Sequence, residues 1–246
     1  MSQSPNRILA SVSSEVFAVI QPHLKLVQLT LGDVVAETAS TVTRVFFPHS
    51  GVISLVVEME NGQMIETAMV GRDGVFNAAP ALEGKLSLNK ALVQLAGDAS
   101  VIDVDRLRLI ADEHGSLRSI LIRHEQVMFA QSQQSAACNA THLVEARMCK
   151  WLLRMRDLGE SDNLTITQEF LAQMIGVRRT SVSLVAGALQ KAGLIKYRRG
   201  NVRIVNPAEL QEASCECYRT IKAHYERMLS PPKTIAKFFS HARNHA

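Results

Sequence analysis

Between Thr165 and Ile204 the chain concentrates residues able to grip a polyanion and to read hydrogen-bonding edges. Arg178, Arg179, Thr180, Ser181, Ser183 and Leu184 follow Gly176, and Arg198, Arg199, Asn201 and Arg203 follow Gly193. An arginine can bond the two acceptors of a guanine at once. A small hydroxyl can meet a base or a phosphate, and an apolar tip can touch a thymine methyl. Residues 194–205 alternate apolar and basic side chains around Gly200-Asn201, which reads as a two-stranded wing. Its arginines would lie near phosphates, adding affinity and orientation without reading sequence.

These groups need a scaffold, and the same stretch supplies one. Thr167 suits an N-cap, and Gln168-Glu169 opens a helix with an acid in its first turn, adding Thr167 and Gln168 to the expected contacts. Phe170, Leu171, Met174 and Ile175 give that helix its apolar positions, and Gly176 ends it. A second helix is predicted from near Arg178 to about Lys191, because Val182, Val185, Ala186 and Leu189 repeat at the spacing of one helical face. Ala192-Gly193 is its stop. Two short helices about a glycine turn, then a basic hairpin, define a winged helix-turn-helix. Its second helix would present its N-terminal end to a major groove.

The rest of the chain divides by pattern. From about Leu24 to Val104, apolar runs are broken at short intervals by Gly32-Asp33, residues 48–51, Asn61-Gly62, residues 71–74, residues 83–85 and Gly97-Asp98, as in an all-β barrel or sandwich. Val52–Met59 and Met64–Val70 flank Asn61-Gly62, predicting a hairpin with a type I′ turn. A short helix is expected around Ser14 to Pro22. From Asp105 to about Leu158 the pattern is helical, with Gly115 as the main interruption. Leu117, Leu121, His124, Met128, Gln131, Ser135 and Cys138 fall at alternating four- and three-residue spacing, the signature of a coiled-coil contact, and are expected to form a dimer interface. Leu143–Leu158 continues as a helix with one broad apolar face, and Gly159–Asn163 reads as a hinge. After Pro207 one more helix is expected from Glu209 to Leu229, then a basic end, Lys233 to Arg243, expected either to be disordered, the favoured reading, or to touch DNA.

Bulk properties narrow the class. The 246 residues allow two domains, and no apolar run is long enough to span a membrane. The first residues lack the apolar block of a signal peptide, so a cytoplasmic protein is expected. A net charge of +4 hides an asymmetry: residues 1–139 sum to −4 and residues 140–246 to +8. A basic half suits double-stranded DNA. Cys138, Cys149, Cys215 and Cys217 are too few for a disulfide framework, and no metal or cofactor is assigned. There is no P-loop and no Gly-x-Ser-x-Gly elbow, and no enzyme activity is expected.

At this point the chain resembles the Crp/Fnr family of transcription regulators, from about Val16 to Pro207. The resemblance is strongest over Ile166–Val182 and over Leu189 with Ala192-Gly193-Leu194-Ile195. It implies an α+β fold in three parts: an N-terminal cyclic-nucleotide-binding-like β-roll (jelly-roll-like, 1–110), a long dimerisation helix (111–142) and a C-terminal winged helix-turn-helix (143–207). A C-terminal helix and tail (208–246) would follow. It also implies a homodimer on a near-palindromic operator, and leaves open a small-molecule effector of unknown identity and a contact with RNA polymerase. Arg179 falls where the family places a base-reading arginine. Thr180 replaces a common glutamate, and Leu184 stands where the cyclic-AMP-responsive branch has arginine.

The sensor half departs further from that pattern. The turn that carries a ribose-binding glutamate in nucleotide-binding members reads Phe76-Asn77-Ala78-Ala79 here, and the phosphate-binding Arg-Ser-Ala corresponds to Asn89-Lys90-Ala91. Ala78, Asn89 and Lys90 therefore mark the expected effector pocket, but a lysine cannot replace a bidentate guanidinium, and cyclic AMP is not the expected effector. The cysteines that hold an iron–sulfur cluster in the oxygen-sensing branch have no counterpart before Cys138. His23 and His49 are the only β-region histidines open to a haem. Two alternatives stay open: a redox- or metal-responsive regulator using Cys215 and Cys217 with His224, and a cyclic-nucleotide-binding module without DNA binding.

Overall fold

A computed structural model describes residues 4–230, which form an α+β fold. Two short helices, α1 (Arg7–Ser11) and α2 (Ser14–Ile20), open the chain. Only α2 was expected; α1 is nucleated by Asn6, whose side chain caps it by accepting the Ile8 and Leu9 N–H groups.

Seven strands follow in two antiparallel sheets. One, in the order β1-β7-β3, contains β1 (Lys25–Leu29), β7 (Gly97–Asp103) and β3 (Arg44–Pro48). The other, β2-β6-β4-β5, contains β2 (Val34–Ala36), β6 (Lys90–Leu95), β4 (Val52–Glu58) and β5 (Met64–Val70). A one-turn helix, α3 (Ala78–Leu82), lies between β5 and β6. The β4–β5 hairpin is where the sequence placed it, but its turn is not type I′. Gly62 donates its N–H to the Met59 carbonyl and Met59 donates to Gln63, and of Asn61-Gly62 only Gly62 has positive φ. This is a three-residue loop ending in a left-handed glycine.

The helical half breaks at Gly115 into α4 (Val104–Glu113) and α5 (Gly115–Thr141), and then at His142-Leu143 before α6 (Val144–Gly159). The helix expected over Glu209–Leu229 is two: α9 (Pro207–Glu212) and α10 (Cys217–Leu229). The basic segment Lys233–Arg243 lies outside the described residues.

Two cores hold these elements. The first lies inside the roll, where Val45, Phe47, Ile53 and Val93 meet Leu107, Leu117 and Leu121 of α4 and α5. Ile221, Tyr225 and Met228 join it, so α10 is built into the N-terminal core rather than trailing as a tail. The second core lies on the outer face of the four-stranded sheet. Val52, Val56, Met69 and Leu92 pack there with Trp151, Leu152, Met155 and Leu158 of α6 and with the apolar interior of the C-terminal domain. Strand β4 is therefore covered on both faces, which explains its almost unbroken apolar run. The approach is close: a Cβ added at Gly71 would come within 2.8 Å of the Leu158 side chain.

Candidate nucleic-acid interface

The C-terminal domain is a small three-stranded sheet, β8-β10-β9, formed by β8 (Asn163–Thr165), β9 (Ile195–Arg198) and β10 (Asn201–Ile204), with α7 (Gln168–Met174) and α8 (Arg179–Lys191) packed beside it. Thr167 caps α7 by accepting the Phe170 N–H at 3.1 Å. The helix ends in a Schellman motif: Val177 N–H donates to Ala172 O, Gly176 N–H donates to Gln173 O, and Gly176 sits at φ +64°. An L side chain at Gly176 would strain that turn, so the glycine sets the angle between the helices. The buried Arg147 of α6 donates to the carbonyl of Ile175 in the same turn.

Val182, Ala186 and Leu189 bury one side of α8 against Leu171, Met174 and Ile195. Its other side is bare. Arg178, Arg179, Thr180, Ser183 and Leu184 are exposed, and Ser181 is half-buried. Leu184 is 78% exposed. No side chain caps the N-terminus of α8, whose first N–H groups are left open where the helix dipole favours an anion. Gln168 reaches across to this face, accepting the Ser183 hydroxyl at 2.5 Å.

The wing completes the surface. The two turn residues of β9–β10 are Arg199 and Gly200, both at positive φ, and Asn201 pairs with Arg198 within the ladder; the turn sits one residue earlier than Gly200-Asn201. Arg198, Arg199, Asn201 and Arg203 are all exposed. Tyr197 fastens the wing to the base of α7 by donating its hydroxyl to Ile166 O at 2.8 Å. The result is one cleft lined by Thr167, Gln168, Glu169, Arg179, Tyr197, Arg199 and Gly200, where the α8 tip meets the wing and Glu169 lies 3.9 Å from Arg179.

The other predicted site residues fare differently. Leu117, Leu121, His124, Met128, Gln131 and Cys138 are buried within the single chain, and Ser135 is half-buried. His124 accepts the Val75 N–H at 3.2 Å, and Gln131 donates to Met69 O at 3.3 Å. Tyr225 donates its hydroxyl to Gln131 at 3.0 Å. This seam faces the chain's own roll and α10, which corrects its reading as an interface with a second copy. Three-four spacing reports that a helix is pinned along a stripe, not what pins it.

A cavity of about 380 Å³ lies between the roll, α3 and α5. Asn89 lines it; Ala78 and Lys90 do not. Ala78 is buried behind it, and Lys90 is held by Glu58 at 2.8 Å and Glu37 at 3.7 Å. The charged groups that line the cavity are Glu83 and Glu125, with Leu55, Val75, Met128 and Phe129 among its apolar walls. His49 bonds Ser100 at 2.9 Å, and His23 ends a 3-10 turn. Cys215 and Cys217 lie together, beside Cys138 and His142 rather than His224. The sequence signal for this grouping is the i, i+4 spacing of Cys138, the last residue of the expected dimer seam, and His142.

A β-roll, a long helix and a winged helix-turn-helix with an exposed, arginine-bearing helix tip are the parts that comparison with known proteins can place. Residues 146–213 match the Crp-like helix-turn-helix domain. The global nitrogen regulator of Synechococcus elongatus is 21% identical over 198 residues, covering 77% of this chain and 89% of that protein. FixK2 from Bradyrhizobium japonicum shares the fold at a TM-score of 0.66 and 13% identity, over 78% of this chain and 98% of that one. A CRP-family transcriptional regulator of Thermus thermophilus does so at 0.63 and 20% identity, over 76% and 96%. By this match and these likenesses the chain is similar to the transcription regulators of the Crp/Fnr family. No helix among the described residues is long and apolar enough to cross a membrane.

Proposed function

We propose that the protein binds a near-palindromic operator as a homodimer and that its signal is a small molecule other than cyclic AMP. The single observation that carries the DNA-binding reading is that the exposed Arg179 of the α8 tip and Arg199 of the wing line one cleft. In this reading Arg179 bonds a guanine, Leu184 touches a thymine methyl, and Arg198, Arg199 and Arg203 hold phosphates. Thr180 and Leu184 give the operator a sequence distinct from that of the cyclic-AMP-responsive branch.

The dimer uses the face of α5 opposite the buried seam. Ser119, Ile122, Gln126, Phe129, Gln133, Ala136 and Ala140 are spaced three and four residues apart and all exposed, with Phe129 at 66% and Ile122 at 43%. An exposed Phe and Ile on one helical stripe favour a second copy of the helix as their cover. A dimer of this kind would set two recognition helices about 34 Å apart, one helical turn of DNA.

The effector cavity supports a ligand without a phosphate, because its charged lining is acidic and its walls are apolar. Phe129 belongs both to the cavity wall and to the proposed dimer stripe, so a ligand there would reach the subunit contact directly. Signal transfer would then reorient the DNA-binding domains about residues 139–143 and 159–163, only one arrangement matching both half-sites. Selection of bound duplexes from random DNA tests the reading. A palindromic site bound with strong salt dependence is expected; no salt-sensitive preference for any duplex would end it.

A further inference from the structure

The three thiols Cys138, Cys215 and Cys217 form a buried cluster separate from both hydrophobic cores. His142 joins them: one ligand atom from each of the four residues lies within 4.8 Å of every other. The Cys138 and Cys215 sulfurs are 3.6 Å apart, and Cys217 Sγ is 3.6 Å from His142 Nδ1. Metal–sulfur bonds of about 2.3 Å and metal–nitrogen bonds of about 2.0 Å in a tetrahedron place neighbouring ligand atoms about 3.5–3.8 Å apart. We propose that Cys138, His142, Cys215 and Cys217 bind a single tetrahedral divalent ion of the zinc class.

The surroundings are those of a metal centre. His142 Nε2 faces Glu216 Oε1 at 3.2 Å, which turns Nδ1 toward the thiols and supplies the outer carboxylate that orients a ligating imidazole. Gln134 donates to Cys217 Sγ at 3.0 Å. Cys217 is the first residue of α10. On metal entry the three thiols release their protons to solvent, and three thiolates with a dication leave one net negative charge. Burial lowers the pKa of the Arg147 guanidinium, and the field of Cys138 and Cys215 opposes that shift.

The donor set selects the ion. Three sulfurs and one imidazole suit zinc and disfavour magnesium, calcium and manganese, and four protein ligands leave no open position for catalysis. The atoms are too closely grouped for a polynuclear iron–sulfur cluster. A Cys138–Cys215 disulfide would need the sulfurs to close to about 2.05 Å, and would leave the placement of Cys217 and His142 without a reason.

The ion would staple the end of α5, the α5–α6 joint and the entrance to α10. Arg147 stands in the first turn of α6, just past that joint, and donates to the carbonyl of Ile175 in the turn of the helix-turn-helix. Resting on the regulator reading above, loading of the ion then sets operator affinity, with an expected change of about tenfold between loaded and stripped protein.

Full-length protein purified under reductant should carry close to one equivalent of zinc. After stripping with a chelator, titration with Co²⁺ should give the intense visible bands of tetrahedral cobalt with thiolate charge transfer, saturating at one ion per chain and displaced by Zn²⁺. Cys138→Ser and Cys215→Ser should abolish stoichiometric binding while circular dichroism confirms a retained fold, and Glu216→Gln should weaken it about tenfold or more. Cys149→Ser should leave the spectrum unchanged. The site is overturned if no cobalt spectrum forms, if the spectrum survives Cys138→Ser, or if mass spectrometry finds a Cys138–Cys215 disulfide in its place. Equal operator affinity with and without the ion, beside an intact cobalt spectrum, overturns the regulatory role alone. Cobalt binding by a protein that engages no duplex overturns the regulator reading instead.

Discussion

Trp151 donates its indole N–H to Glu66 Oε1 at 3.0 Å, joining α6 to the outer face of the four-stranded sheet. Ser54 donates to the other oxygen of the same carboxylate. Both bonds favour the charged form, yet burial outweighs them and raises the Glu66 carboxyl to about 7 from an ordinary 4.5. Glu66 is therefore a carboxylate enclosed where the N-terminal and C-terminal halves meet, and it titrates near neutrality.

A raised pKa in the folded state means that folded protein holds the proton where unfolded protein has lost it. The stability that this contributes is complete below about 4.5 and disappears as pH rises through about 7. The loss amounts to as much as about 3 kcal/mol. Glu66→Gln removes the titration and keeps an acceptor for Trp151. Urea unfolding between pH 4.5 and 8.5 should show the variant gaining on the parent protein as pH rises; parallel pH profiles would show that Glu66 titrates normally.

Arg154 and Asp73 form a buried ion pair across the same seam, at 2.7 and 3.2 Å, with the guanidinium 4.6 Å from the centre of the Tyr225 ring. Asp73→Ala leaves a buried cation without its partner and should destabilise the protein by about 3–5 kcal/mol. Proteolysis at residues 159–163 should accelerate with it, because the pair helps hold α6 to the roll. A combined Asp73→Leu, Arg154→Met protein should recover most of the loss. Thermal unfolding of the single and double variants measures both.

Arg179 and Arg199 should separate by role on DNA. Arg179→Ala is expected to weaken operator binding by about 1–3 kcal/mol and relax the preference at one position. Arg199→Ala should weaken binding to every sequence and lower the salt slope by about one charge. Binding isotherms on the selected operator and on scrambled DNA over a range of salt decide this; equal, sequence-independent losses would refute the assignment.

The two faces of α5 make opposite predictions. Phe129→Glu places a charge on the exposed stripe and should give monomers by sedimentation with little change in thermal stability. Leu121→Ala opens a hole in the buried seam and should lower stability by about 2–5 kcal/mol while leaving the oligomeric state unchanged. The reverse pattern would restore the buried seam as the subunit contact.

Local chemistry was legible in the sequence wherever a residue's meaning depends on its near neighbours. Thr167 caps α7, Gly176 ends it left-handed, and α8 runs over the residues its apolar repeat predicted, because caps, turns and helical faces are written within a few positions. The exposed arginines of α8 and the wing followed from the same patterns. Partners distant in the chain were not legible. The Leu117–Cys138 stripe could face a second copy or its own roll, and only the packing of β5 and α10 against it made it internal. Lys90, expected at the effector pocket, is held instead by Glu58 and Glu37, and Cys138 and His142 meet Cys215 and Cys217 only because α10 returns to the end of α5. Periodicity fixes which side of an element is covered; what covers it is a matter of long-range folding, which spacing along the chain does not encode.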